Sequence, residues 1–175
     1  MIGYRHADRR FPFAWETAEQ SAGRWHAVGD GPVHYLAETP DGAWAELLRH
    51  EEIRDPADIA GLVRALWVVE TPDLPLAAPA LPDATCTGGA GSWPACQAEA
   101  ARQRATGAAG LVAPSAALQP GTPSGFRVAE GLRPGPVRPE RVFVLFGPRP
   151  ELVAWCACAE GRPRTDLLAR VRPLG

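Results

Sequence analysis

The sequence contains no lysine; all 18 of its basic residues are arginines. Alongside its many alanines, glycines and prolines, this reads as a GC-rich coding bias, so an individual arginine needs independent support before it marks a site. The formal net charge of −2 argues against a general nucleic-acid binder, which carries a basic face and a high pI. No stretch approaches the ~20 consecutive apolar residues of a membrane helix. Met1-Ile2-Gly3-Tyr4-Arg5-His6 has no apolar h-region, so no signal peptide is expected. The four cysteines (Cys86, Cys96, Cys156 and Cys158) are then expected as reduced thiols. These absences together predict a cytoplasmic chain without membrane attachment or direct nucleic-acid binding.

Familiar catalytic signatures are missing as well. Zinc sites want Cys-x2-Cys pairs or His-Glu-x-x-His, and the nearest matches, Cys156-x-Cys158 and His50-Glu51-Glu52, have the wrong spacing. No metal site is expected. Pro94-Ala95-Cys96 does not supply the Pro-Cys-x-x-Cys of base deaminases. Without lysine there is no Walker-type NTPase, and without a strand leading into Gly-x-Gly-x-x-Gly there is no Rossmann mode of dinucleotide binding. Ala113-Pro114-Ser115 lacks the nucleophile elbow of the serine hydrolases.

What is present suits one globular domain over residues 1–175, with 46% apolar and 22% charged residues. A chain of this size buries roughly 70% of its unfolded surface. Neither an internal repeat nor a clean linker is visible. Two Pro/Gly-rich stretches, 71–94 and 119–139, are expected as surface excursions, the kind of loop that lies over binding sites.

Between them the elements are readable. Val33 to Ala37 is a short apolar strand. Thr39-Pro40 opens a helix with a Thr cap, a first-turn Pro and Asp41, running to about His50. Leu62 to Glu70 reads as a strand buried on both faces. Ser92 is expected to cap a second helix that stops at Gly107. Gly110 to Ala113 and Val142 to Phe146 are further strands, and 148–175 is an extension in which Leu152–Cys158 and Leu167–Val171 are expected as edge strands. Strands scattered among two or three helices predict an α+β domain with a mixed sheet.

Several spaced fragments then stand out: Tyr4-Arg5, Gly23-Arg24-Trp25, Tyr35-Leu36-Ala37, Ala45-Glu46-Leu47-Leu48, Cys96-Gln97-Ala98-Glu99, and Gly110 through Ser115. Arg24, Tyr35 and Glu46 follow one another at intervals of eleven. In this order and spacing, over residues 2–147, the fragments resemble the RES-domain family, named for its Arg, Glu and Ser. The resemblance implies an ADP-ribosyltransferase-like fold with NAD in a cleft of a split β-sheet. It further implies a toxin of a toxin–antitoxin pair that cleaves the nicotinamide–ribose bond, with water or phosphate as acceptor, until a helix-turn-helix antitoxin blocks it. NAD enters as substrate, with no separate cofactor.

The residue chemistry agrees with that resemblance. A planar guanidinium grips a pyrophosphate with two parallel hydrogen bonds, Arg24 being the first choice and Arg5 the second. Bond cleavage develops positive charge on the ribose, which the Glu46 carboxylate would stabilise. Tyr35 suits stacking on the nicotinamide, and the Ser115 hydroxyl suits a ribose or phosphate oxygen. Taken singly, each has an ordinary alternative: a solvated arginine, a half-buried strand tyrosine, a solvent-facing helical glutamate, a turn serine. His26 departs from the Asn that commonly follows Gly-Arg-Trp in the family, which bears on the nucleophile. A protein mono-ADP-ribosyltransferase, or a non-catalytic NAD-binding or antitoxin-docking module, would share the same residues.

Overall fold

The computed structural model describes residues 1–174. In chain order the elements are β1 (Ile2–Ala7), β2 (Val33–Ala37), α1 (Pro40–His50), α2 (Pro56–Ala60), β3 (Arg64–Glu70), β4 (Leu76–Ala77), α3 (Asp83–Thr87), α4 (Trp93–Ala105), β5 (Gly110–Pro114), β6 (Ser124–Val128), β7 (Leu132–Val137), β8 (Arg141–Phe146) and β9 (Val153–Gly161). Short 3-10 turns cover Ala90–Ser92 and Thr165–Arg170. The expected α+β architecture is present. A seven-stranded mixed sheet runs β4-β5-β8-β2-β1-β3-β9, parallel only between β4 and β5. Among the described residues no helix is long and apolar enough to cross a membrane.

The sheet has a seam. β1 pairs with β3 over six residues and β2 with β8 over five, yet β1 and β2 meet in register at one pair, Tyr4 and Ala37. The sheet is thus split into β4-β5-β8-β2 and β1-β3-β9, hinged at that rung.

Helix α1 covers the seam, and local chemistry dictates its start. The Thr39 hydroxyl accepts from the Gly42 amide at 3.0 Å, Pro40 sits in the first turn, and Asp41 meets the positive end of the helix dipole. Trp44, Leu47 and Leu48 bury against Ala37, Ile59, Leu66 and Leu118. On the same face of the sheet's other half, α3 and α4 cover β5 and β8 through Cys86, Cys96, Leu111 and Val144. β8 is apolar on both faces: Val142, Val144 and Phe146 face α4, while Phe143 and Leu145 join Leu36 and Val69 in a third cluster.

Several expectations are corrected. β3 begins at Arg64, not Leu62, and its Trp67 and Val68 are only half-buried. Ser92 takes the N-cap position of α4 as expected, but its hydroxyl makes no capping bond, donating instead to Gly89 and accepting from Arg24. Of the two edge strands expected in the tail, β9 forms, but Leu167–Val171 lies largely in a 3-10 turn with a single bridge from Val171 to Leu118. The stretch 71–94 holds β4 and α3, and 119–139 holds a β6–β7 hairpin.

Candidate active site

A cavity of about 940 Å³ opens where the two half-sheets part, within the range of ligand pockets. β1 contributes Tyr4 and Arg5, β2 contributes Tyr35, and α1 contributes Glu46, Arg49 and His50. The irregular segment between β1 and β2 supplies another wall, including Trp15, Glu16, Arg24 and His26. Four of the five residues singled out from the sequence, Arg5, Arg24, Tyr35 and Glu46, therefore line one space.

Ser115, the fifth, stands behind Glu46. Its hydroxyl donates to Glu46 Oε1 at 3.4 Å and accepts from the amides of Ala117 (3.1 Å) and Leu118 (3.4 Å). It is buried, and its neighbours Pro114 and Ala116 form the wall. In this geometry the hydroxyl is spent on the carboxylate and on the turn leaving β5.

Glu46 lies on the cavity side of α1 between Ala45 and Leu47, both of them buried. Burial raises its carboxyl above the ordinary value of 4.5, while the charges of His50, Arg49 and Arg24 and the Ser115 hydrogen bond pull it back.

Arg24 is nearly buried. Its Nη1 donates to Ser92 Oγ at 2.9 Å and its Nη2 to the Gly88 carbonyl at 2.5 Å. It thereby clips the α3–α4 connection onto the cavity wall. Arg49 was not singled out by the sequence, yet it reaches the same carbonyl at 3.2 Å and also donates to the Ala116 carbonyl. The two guanidiniums ring Glu46 with positive charge. Its spacing was the available signal: position 49 is one helical turn from 46 and shares its face.

Tyr35 is held by its oxygen. The hydroxyl accepts from the Trp25 amide at 3.0 Å and lies 2.9 Å from His26 Nδ1. His26 Nε2 lies 2.8 Å both from the Ser21 carbonyl, an acceptor, and from the Gln20 side-chain nitrogen, a donor. Burial lowers the His26 pKa, favouring the neutral ring. Gly23 is required here: a Cβ would stand 2.6 Å from His26 Cε1 and 3.1 Å from the Tyr35 oxygen. Gln97 of α4 locks the turn by donating to the carbonyls of Gly23 (2.9 Å) and His26 (3.1 Å).

Arg5 forms an ion pair with Glu16, whose other oxygen lies 2.9 Å from His34 Nδ1. Burial pushes Glu16 upward, but His34 and Arg5 outweigh it and hold the carboxyl at about 2. One Arg5 nitrogen, Nη1, is buried without a partner. No motif signalled Glu16 or His34, which lie in a loop and on the far side of β2.

A mixed α+β fold with a large cleft at the seam of a split sheet defines the class of this domain. A family model for the RES domain matches residues 3–129, and the chain belongs to the RES-domain family. Its fold is similar to that in the crystal structure of the M. tuberculosis MbcT–MbcA toxin–antitoxin complex, with a TM-score of 0.63 and 17% identity, over 96% of this chain and 86% of that one. Comparison with curated proteins returns no match.

Proposed function

We propose that this chain is an NAD-cleaving enzyme and the toxin of a toxin–antitoxin pair. The observation that carries the reading is the convergence of Glu46, Arg24, Arg49 and Tyr35 on one cavity, with Ser115 bonded to the back of the carboxylate. Membership in the RES family and similarity in fold to a toxin–antitoxin complex support the wider context.

In this reading Tyr35 packs its ring against the nicotinamide. The C–N bond to the ribose breaks, nicotinamide departs with the bonding electrons, and the cationic sugar is stabilised by ionised Glu46. Water or phosphate then adds to the anomeric carbon; with water, one proton is released and ADP-ribose results. Arg24, its Nη atoms held by Ser92 and Gly88, and Arg5, paired with Glu16, line the cavity and lend positive charge to the pyrophosphate. A helix-turn-helix antitoxin would restrain the enzyme.

Purified protein incubated with NAD, with and without phosphate, tests this. Free nicotinamide together with ADP-ribose or its phosphorylated form is expected. Glu46→Ala should fold normally and lose ~100-fold or more of the rate. Label transferred to protein would make it a mono-ADP-ribosyltransferase. Equal inertness of wild type and variant, with NAD still bound, would leave a binding module.

A further inference from the structure

The hairpin of β6 and β7 stands apart from the rest of the fold. Its strands pair only with each other, and a lone two-stranded ribbon is marginal in water. Register places Val128 opposite Leu132 and Phe126 opposite Pro134, so these four share one face. That face is bare: Phe126 is 61% exposed, Val128 88% and Leu132 70%. On the other face Arg127 lies directly opposite Arg133, a like-charge pairing that destabilises a ribbon. Among the described residues neither arginine has a carboxylate partner.

Two uncompensated faces on one projecting element call for a cover. We propose that the hairpin is a docking arm, clasped by an acidic segment of a second protein that lays apolar side chains on Phe126, Val128 and Leu132 and carboxylates on Arg127 and Arg133. Charge selects this occupant: the ribbon carries two arginines against Glu130 alone, so an acidic partner is complementary and a second copy stacks like on like. A lipid surface fits less well, because the apolar and basic residues point in opposite directions and a flat bilayer reaches one face only. Pro134 and Pro136 remove two amides from β7, so the partner packs on the faces and does not extend the ribbon along that edge. The arm is rooted beside the cleft, since the Ser115 amide donates to the Glu140 carbonyl at 2.9 Å and closes its foot.

The proposal is independent of NAD cleavage, and its readouts do not involve NAD. Random peptides displayed on phage are selected on the whole chain and counter-selected on Val128→Ser/Leu132→Ser, whose fold is checked by circular dichroism. Survivors rich in Asp, Glu and large apolar residues are expected. The leading synthetic peptide should bind that variant ~10-fold or more weakly. It should also weaken on Arg127→Gln/Arg133→Gln, with NMR shifts confined to the hairpin. If the serine variant misfolds, the glutamine variant, altered only at exposed positions, carries the test. No enrichment, survivors without acids, or equal binding by the variants overturns the proposal. So does a wild-type dimer that the serine variant dissolves, or phosphatidylserine-vesicle binding that it abolishes.

Discussion

Arg24 and Arg49 donate to the same acceptor, the Gly88 carbonyl oxygen, at 2.5 and 3.2 Å. One comes from the loop between β1 and β2 and the other from α1, so a single oxygen ties the cavity's two walls to the α3–α4 connection. The arrangement gives Arg49 two duties: brace of the wall and counter-charge for Glu46.

Arg49→Met is expected to cost about 2 kcal/mol in urea unfolding, the scale of charge-assisted hydrogen bonds lost from a buried site. In the proposed reaction Glu46 acts ionised, and its pKa is raised, so the acid limb of kcat/KM for NAD cleavage should lie above 4.5. Removing Arg49 takes away a charge that favours the carboxylate, so the limb should move to still higher pH. An unmoved limb would show that Arg49 only braces.

Glu140 sets a separate pH response. Its carboxyl accepts from the Thr39 amide and hydroxyl, both at 2.9 Å, and burial pushes it up to about 7. Between its unfolded value near 4.5 and about 7, the folded protein binds more protons than the unfolded chain, so rising pH destabilises the fold. The loss is at most about 3 kcal/mol. Denaturant melts of wild type and Glu140→Gln at pH 5 and pH 8 should differ in this slope, the variant being flatter. Parallel slopes would rule the carboxyl out.

Tyr35→Phe keeps the ring but strands the Trp25 amide and His26 Nδ1. A stability loss of ~1–3 kcal/mol is expected, with KM for NAD little changed because the ring proposed to stack on the nicotinamide remains. A large KM rise with unchanged thermal stability would instead put the hydroxyl on the substrate.

Gly23→Ala should displace His26 and Tyr35 together, since its Cβ has no room beside either. Overpacking of this kind costs roughly 1–3 kcal/mol. Cleavage should fall more than in Tyr35→Phe, and an alanine variant with wild-type kinetics would contradict the packing described for this turn.

The legible parts of the sequence were those written in local chemistry. Thr39-Pro40-Asp41 marked the start of α1, and the apolar run at Val33 marked β2, because caps and strand patterns act over a few residues. Arg24, Tyr35 and Glu46 became a set through their order, and the fold gathers them in one cavity. Arg49 stayed hidden among 18 arginines because its meaning depends on a carbonyl in a distant loop. Ser92 looked like a helix cap, but Arg24 and Gly89 hold its hydroxyl elsewhere. Leu167–Val171 had strand composition and became a 3-10 turn, its Leu167 filling the core beneath α1. The β6–β7 ribbon was masked by Pro134, Pro136 and three glycines, residues that weaken any strand pattern.

The solitary rung between Tyr4 and Ala37 has a mechanical consequence. Stiffness across the middle of the molecule comes from α1 resting on both halves, since the backbone contributes almost nothing there. A guest lying astride the gap would act as the missing crosspiece. Its arrival should slow amide exchange along β1 and β2 together, far beyond the atoms it touches.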